Sequence, residues 1–110
     1  MIVDLNQKLL DAFIEKRRPP KEIRDKVDLG YKLEGEVVQI FETRPNWQNP
    51  AEKIESPIAR AKYVKSRSVW KVYWMRADLN WHPYDPQREV SNLAVFLELV
   101  DHDDYGCFWG

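Results

Sequence analysis

The chain has 110 residues, 44% of them hydrophobic and 13% aromatic, with a formal net charge of −1, the size of one ordinary domain that buries roughly two-thirds of its unfolded surface. No apolar run approaches the ~18 residues of a membrane span, and the start, MIVDLNQKLLDAFIEKRR, has neither the uninterrupted apolar stretch nor the small-residue cleavage site of a signal peptide. The expectation is a cytoplasmic protein of one domain over residues 1–110, whose single cysteine, Cys107, suits a reducing compartment.

From Val3 to Arg17 the apolar residues Leu5, Leu9, Ala12 and Phe13, with Leu10 and Ile14 alongside, recur at the spacing of a helix packed by one face, and Asp4 fits as its N-cap. Pro19 and Pro20 stop that helix, because proline cannot donate the helical hydrogen bond and restrains the residue before it. A short helical turn restarts at 21–26. Strand patterning follows over 28–33 and 37–44, joined by a turn at Glu34-Gly35, with Val38 and Ile40 on one side and Val37 and Phe41 on the other. Residues 45–56, PNWQNPAEKIES, read as a long loop.

The segment 56–77 holds six basic side chains and no acidic one, whereas 78–110 holds one basic and seven acidic, so the small net charge conceals a basic middle and an acidic end. With a turn at Ser66-Arg67, Val64 falls opposite Val69, Tyr63 opposite Trp70, Ala61 opposite Val72 and Ala59 opposite Trp74, since side chains alternate faces with period two. Small alanines facing bulky partners mark the inner side. The outer side then carries Arg60, Lys62, Lys71 and Tyr73, with Ile58 paired to Met75 at its far end. Beyond Met75, Pro83 and Pro86 argue for irregular structure. Ser91 is positioned to cap a last helix to about Val100, with Leu93, Leu97 and Val100 on one face and Val90 and Val95 spaced as a hydrophobic staple. The terminal DHDDYGCFWG is aromatic enough to dock on the body through Phe108 or Trp109.

Glu42-Thr43-Arg44-Pro45, the stretch from Val69 to His82 and the terminal Tyr105-Gly106-Cys107-Phe108 together resemble a family of small bacterial proteins, domain-of-unknown-function family 3024, over nearly the whole chain. The resemblance implies one domain and transfers no catalytic residue, cofactor or substrate.

Three chemistries merit weighing. Arg76, Asp78, His82 and Tyr84 follow the last strand, where scaffolds often present functional groups, so His82 could act as a base near Asp78 while Arg76 or Tyr84 steadies an anion. The plainer account has Trp81 and Tyr84 plugging the sheet edge and Arg76 pairing with Asp78. His82, His102, Asp101, Asp103, Asp104 and Cys107 are all potential metal ligands, but their spacing matches no known cage, and a solvated acidic turn beside a cation from the hairpin is expected instead. Glu36 and Glu42 with Lys62 make no nuclease signature, and Asp103 and Asp104 would raise the Cys107 pKa and blunt the thiol. The basic outer face has phosphate-seeking charges and a ring for stacking, although outward lysines also serve to protect sheet edges.

The expectation is therefore an α+β fold: N-terminal helix, four-stranded antiparallel meander, and C-terminal helix packed on one sheet face. It acts as a binding or interaction module, with Arg60, Lys62, Lys71 and Tyr73 contacting nucleic acid or another anionic partner and Trp47 as an aromatic rim. The alternatives are an enzyme centred on Arg76, Asp78, His82 and Tyr84, or a protein-interaction domain or homodimer pairing through Val37, Phe41, Ile58 and Met75. No cofactor and no metal are expected.

Overall fold

The computed structural model describes residues 5–109, so Val3 and the expected cap Asp4 lie outside the described residues. Helix α1 spans Leu5–Arg17 and buries Leu10 and Phe13, with Ile14 packed against them. The expected stripe led by Leu5 and Leu9 is displaced by one residue: Leu5 stays 72% exposed, because the larger combined bulk of Leu10, Phe13 and Ile14 lies on the neighbouring line of the helix. After one 3₁₀ turn at Lys21–Ile23, the chain enters β1, Asp28–Glu34, and β2, Val37–Pro45. Gly35 opens the two-residue connection at φ 58°, a left-handed conformation that glycine adopts without steric cost.

Strand β3 runs Lys53–Val64, so the loop expected to reach residue 56 closes earlier. Asn46 and Glu52 pair across it, with Asn46 N–H donating to the Glu52 carbonyl at 2.8 Å, and Lys53 to Ser56 continue the ladder with β2. Strand β4, Val69–Met75, pairs with β3 in the register read from the sequence, Ala59 opposite Trp74 through Val64 opposite Val69. The far end differs. A bulge sets Ile40 opposite Ala59 but Phe41 opposite Pro57, and the extra residue, Ile58, turns into the core instead of pairing with Met75 on the outer side.

The segment beyond Met75 contributes two further short strands: β5, Trp81–Pro83, and β6, Glu89–Val90. Both pair antiparallel with β4, which makes the four-stranded expectation too small. Prolines permit this because β5 is an edge strand that ends at Pro83. Sheet order is β1-β2-β3-β4-β5, with β6 sharing the outer edge of β4.

Helix α2 spans Leu93–His102 and is capped by Asn92, whose side chain accepts from Val95 N–H at 3.1 Å. That cap replaces the expected Ser91 and removes the Val90–Val95 staple, since the staple positions move one residue along. Leu93, Phe96, Leu97 and Val100 of α2 are buried and form a common core with Leu10, Phe13, Val38, Ile40, Ala59, Ala61, Trp70 and Val72. Both helices thus cover the face that carries Trp70 and Val72. The molecule measures 45 × 39 × 24 Å, the thin direction being one sheet and one helical layer.

The terminal segment docks on the helix side. Asp103, in the left-handed region at the end of α2, accepts from the backbone N–H groups of Phe108 and Trp109 at 3.0 and 2.9 Å. Phe108 is buried with its ring 4.9 Å from that of Tyr84, and the Trp109 indole donates to the Val100 carbonyl at 2.7 Å. The cations beside the acidic end come from α1, not from the hairpin: Lys16 Nζ and Arg17 Nε lie 3.3 and 3.5 Å from the Asp101 carboxylate.

Candidate functional site

The sheet face opposite the helices carries the outward residues of each strand, and β3 and β4 place four of the expected residues side by side. Lys62 and Lys71 are directly opposite each other, as are Arg60 and Tyr73. Both lysines are exposed. Among the described residues neither has an ion-pair or hydrogen-bond partner. The Arg60 guanidinium lies 5.7 Å from the centre of the Tyr73 ring, and its Nε is buried with no hydrogen-bond acceptor among the described residues. A buried donor left unpaired is costly, so Arg60 brings a partly desolvated cation to this face beside two exposed lysines, with Glu89 on β6 opposite Lys71.

The flanks are neutralised. Lys32 Nζ meets the Glu55 carboxylate at 2.5 Å, which raises the Lys32 pKa, and it also lies 5.3 Å from the Phe41 ring. Arg67 in the β3–β4 turn pairs with Glu89 on β6. Because the acidic end of the chain docks among the helices, it leaves the two lysines uncovered.

Two grooves indent this face. One, about 330 Å³, is lined by Lys32, Glu34, Val37, Gln39 and Arg60. The other, about 280 Å³, runs beside the outer edge of β4 between Arg67, Lys71, Tyr73, Pro83, Arg88 and Glu89. The second exists because the chain between β5 and β6 leaves the ladder: Val72 N–H donates to the Arg88 carbonyl and the Val72 carbonyl accepts from Tyr84 N–H, both at 2.9 Å, while residues 85–87 turn away and the Arg88 guanidinium holds Asp85 at 2.6 Å. Sequence reading missed Arg88, Glu89 and Pro83 as parts of the face; the prolines masked the two short pairings that bring them there.

Trp47 does not join this group. It is 85% exposed in the loop after β2, and six residue steps separate Pro45 from Gln39, the partner of Arg60, which puts the loop roughly 20 Å along the sheet. The apolar set considered for self-pairing is also divided, since Ile58 belongs to the core and Phe41 is buried with its ring against Gly30.

Of the four residues considered for catalysis, two meet. Asp78 lies 2.8 Å from His82 Nε2 and accepts from Asn80 N–H at 3.0 Å; that backbone bond, followed by the histidine contact, lowers the Asp78 pKa. Asp78 thus clips the β4–β5 turn, in which Leu79 takes a φ of 63°. Arg76 does not pair with Asp78; its guanidinium sits 5.6 Å from the Trp74 ring centre. Tyr84 is buried in the core, and burial raises the pKa of its hydroxyl. The acidic end is equally occupied by structure, and no three His, Cys, Asp or Glu side chains converge to hold a metal among the described residues. Burial, with Asp103 nearby, pushes the Cys107 thiol up, away from the reactive thiolate.

A family model described as Domain of unknown function (DUF3024) matches residues 2–110. No curated protein and no solved structure matches the chain. No helix among the described residues is long and apolar enough to cross a membrane.

Proposed function

This chain belongs to the DUF3024 family, a domain of unknown function, and we propose from its geometry that it is a non-enzymatic binding module of the bacterial cytoplasm that takes nucleic acid on the open face of its sheet. The observation that carries this reading is the Lys62–Lys71 pair, opposed across the β3–β4 ladder with no carboxylate within 4.0 Å among the described residues; Glu89, the partner of Lys71 on β6, is engaged by Arg67 instead. Like charges directly opposite destabilise a sheet. Edge protection gives no reason for them here, because β3 and β4 are both paired on either side over this stretch. A phosphate backbone supplies the missing charge, and the Arg60–Tyr73 pair beside it supplies a cation and a ring.

The test is fluorescence anisotropy with a labelled oligonucleotide across a salt series. Wild type should bind with an affinity that falls steeply as salt rises, and Lys62→Ala and Lys71→Ala should each weaken binding and lower the slope of log K against log salt by about one. Binding that is absent, or indifferent to both substitutions, overturns the reading.

A further inference from the structure

We infer that the groove along the outer edge of β4 holds one unpaired nucleotide, so that the face selects single-stranded over duplex nucleic acid; this rests on the nucleic-acid reading above and names its partner. Size is the first argument. At about 280 Å³ the groove is at the small end of ligand sites, with room inside it for one base with its phosphate and not for a base pair. A base enters such a recess only when it is out of its pair and stack.

The lining divides by chemistry in the way a nucleotide does. Lys71, with no ion-pair or hydrogen-bond partner among the described residues, Arg67 and Arg88 put three cations in the lining against one carboxylate, Glu89, which stands opposite Lys71 on β6. Each arginine also pairs with a carboxylate, Arg67 with Glu89 and Arg88 with Asp85, and the guanidinium N–H groups not used in those pairs are available to phosphate. Tyr73 and Pro83, directly opposite each other on β4 and β5, form the apolar wall. Arg60 lies 5.7 Å from the Tyr73 ring centre on the β3 side, and the ring also lines the groove, where we assign it the stacking of the base. Lys62 lies outside the groove, on the next strand, placed for the phosphate of the following nucleotide.

The experiment compares the affinities of single-stranded DNA, single-stranded RNA and the matching duplex, each about eight nucleotides long, for wild type, Tyr73→Leu, Tyr73→Phe, Arg88→Gln and Lys62→Ala, with circular dichroism as the check on folding. One or both single strands should bind about tenfold tighter than duplex. Tyr73→Leu should lose about that factor on single strands with no change on duplex, Tyr73→Phe should restore it, and Lys62→Ala should weaken all three ligands. Arg88→Gln, at an exposed position, should weaken single strands more than duplex and carries the test if the Tyr73→Leu variant fails to fold. Equal affinity for duplex and single strand, or Tyr73→Leu and Arg88→Gln both binding single strands like wild type, overturns the groove assignment while sensitivity to Lys62→Ala keeps the wider reading. No binding to any of the three overturns both.

Discussion

At the residue scale, the most consequential polar contact outside the open face joins the end of α1 to the first strand. Arg18 grips Asp28 through both ends of its fork, Nε to Oδ1 at 3.1 Å and Nη2 to Oδ2 at 2.6 Å, while Asp28 Oδ1 also accepts from Leu29 N–H at 2.8 Å. The guanidinium, more than any other cause, holds the Asp28 carboxyl below its usual range. A depressed carboxylate pKa adds stability that is present above the unfolded value and disappears as pH falls through the folded one. Asp28→Asn should therefore cost about 1 kcal/mol near neutral pH, solvent screening keeping it modest, and urea denaturation near pH 3 should show the gap to wild type narrowing. A gap that stays constant with pH would remove the charge from the explanation. Gly30 adds a steric counterpart. A Cβ there would come within 3.0 Å of the Phe41 ring, so the ring fills the space over glycine and stays covered on the solvent side of the sheet.

At the scale of elements, the position of the helix cap decides how α2 meets the sheet. Asn92, not Ser91, supplies the oxygen for Val95 N–H, and the first helical residue, Leu93, is then buried. Asn92→Ala should lower stability by about 1 kcal/mol in urea denaturation, whereas Ser91→Ala, on an exposed residue, should stay within about 0.5 kcal/mol of wild type. The reverse ranking would return the cap to Ser91. The two residues are adjacent and chemically equivalent as caps, so sequence pattern had no means of choosing between them; the choice is made by which register presents Leu93, Phe96, Leu97 and Val100 to the core.

At the scale of the whole molecule, the terminal segment and the open face lie on opposite sides of one sheet, which separates stability from the proposed contact surface. Phe108 is 5% exposed and packs on Tyr84, so Phe108→Ala should cost about 3 kcal/mol and lower the melting temperature by roughly 13 °C. Oligonucleotide affinity of the folded variant should be unchanged. A loss of affinity while the chain remains folded would mean that the terminal segment bears on the face after all.

The linear chain by itself determined the β3–β4 register, because alternation and the alanines opposite Val72 and Trp74 leave one arrangement that buries the bulky side. It also determined the stop at Pro19-Pro20, the turn at Gly35 and the presence of Lys62, Lys71, Arg60 and Tyr73 on a common face, since all of these follow from local sterics and period-two geometry. Only the tertiary structure decided the bulge that draws Ile58 inward, the pairing of β5 and β6 with β4, and the side on which the acidic end docks. Those outcomes depend on long-range packing: a short strand is stable only against a neighbour already in place, and the docking of Phe108 requires the pocket that Tyr84 completes.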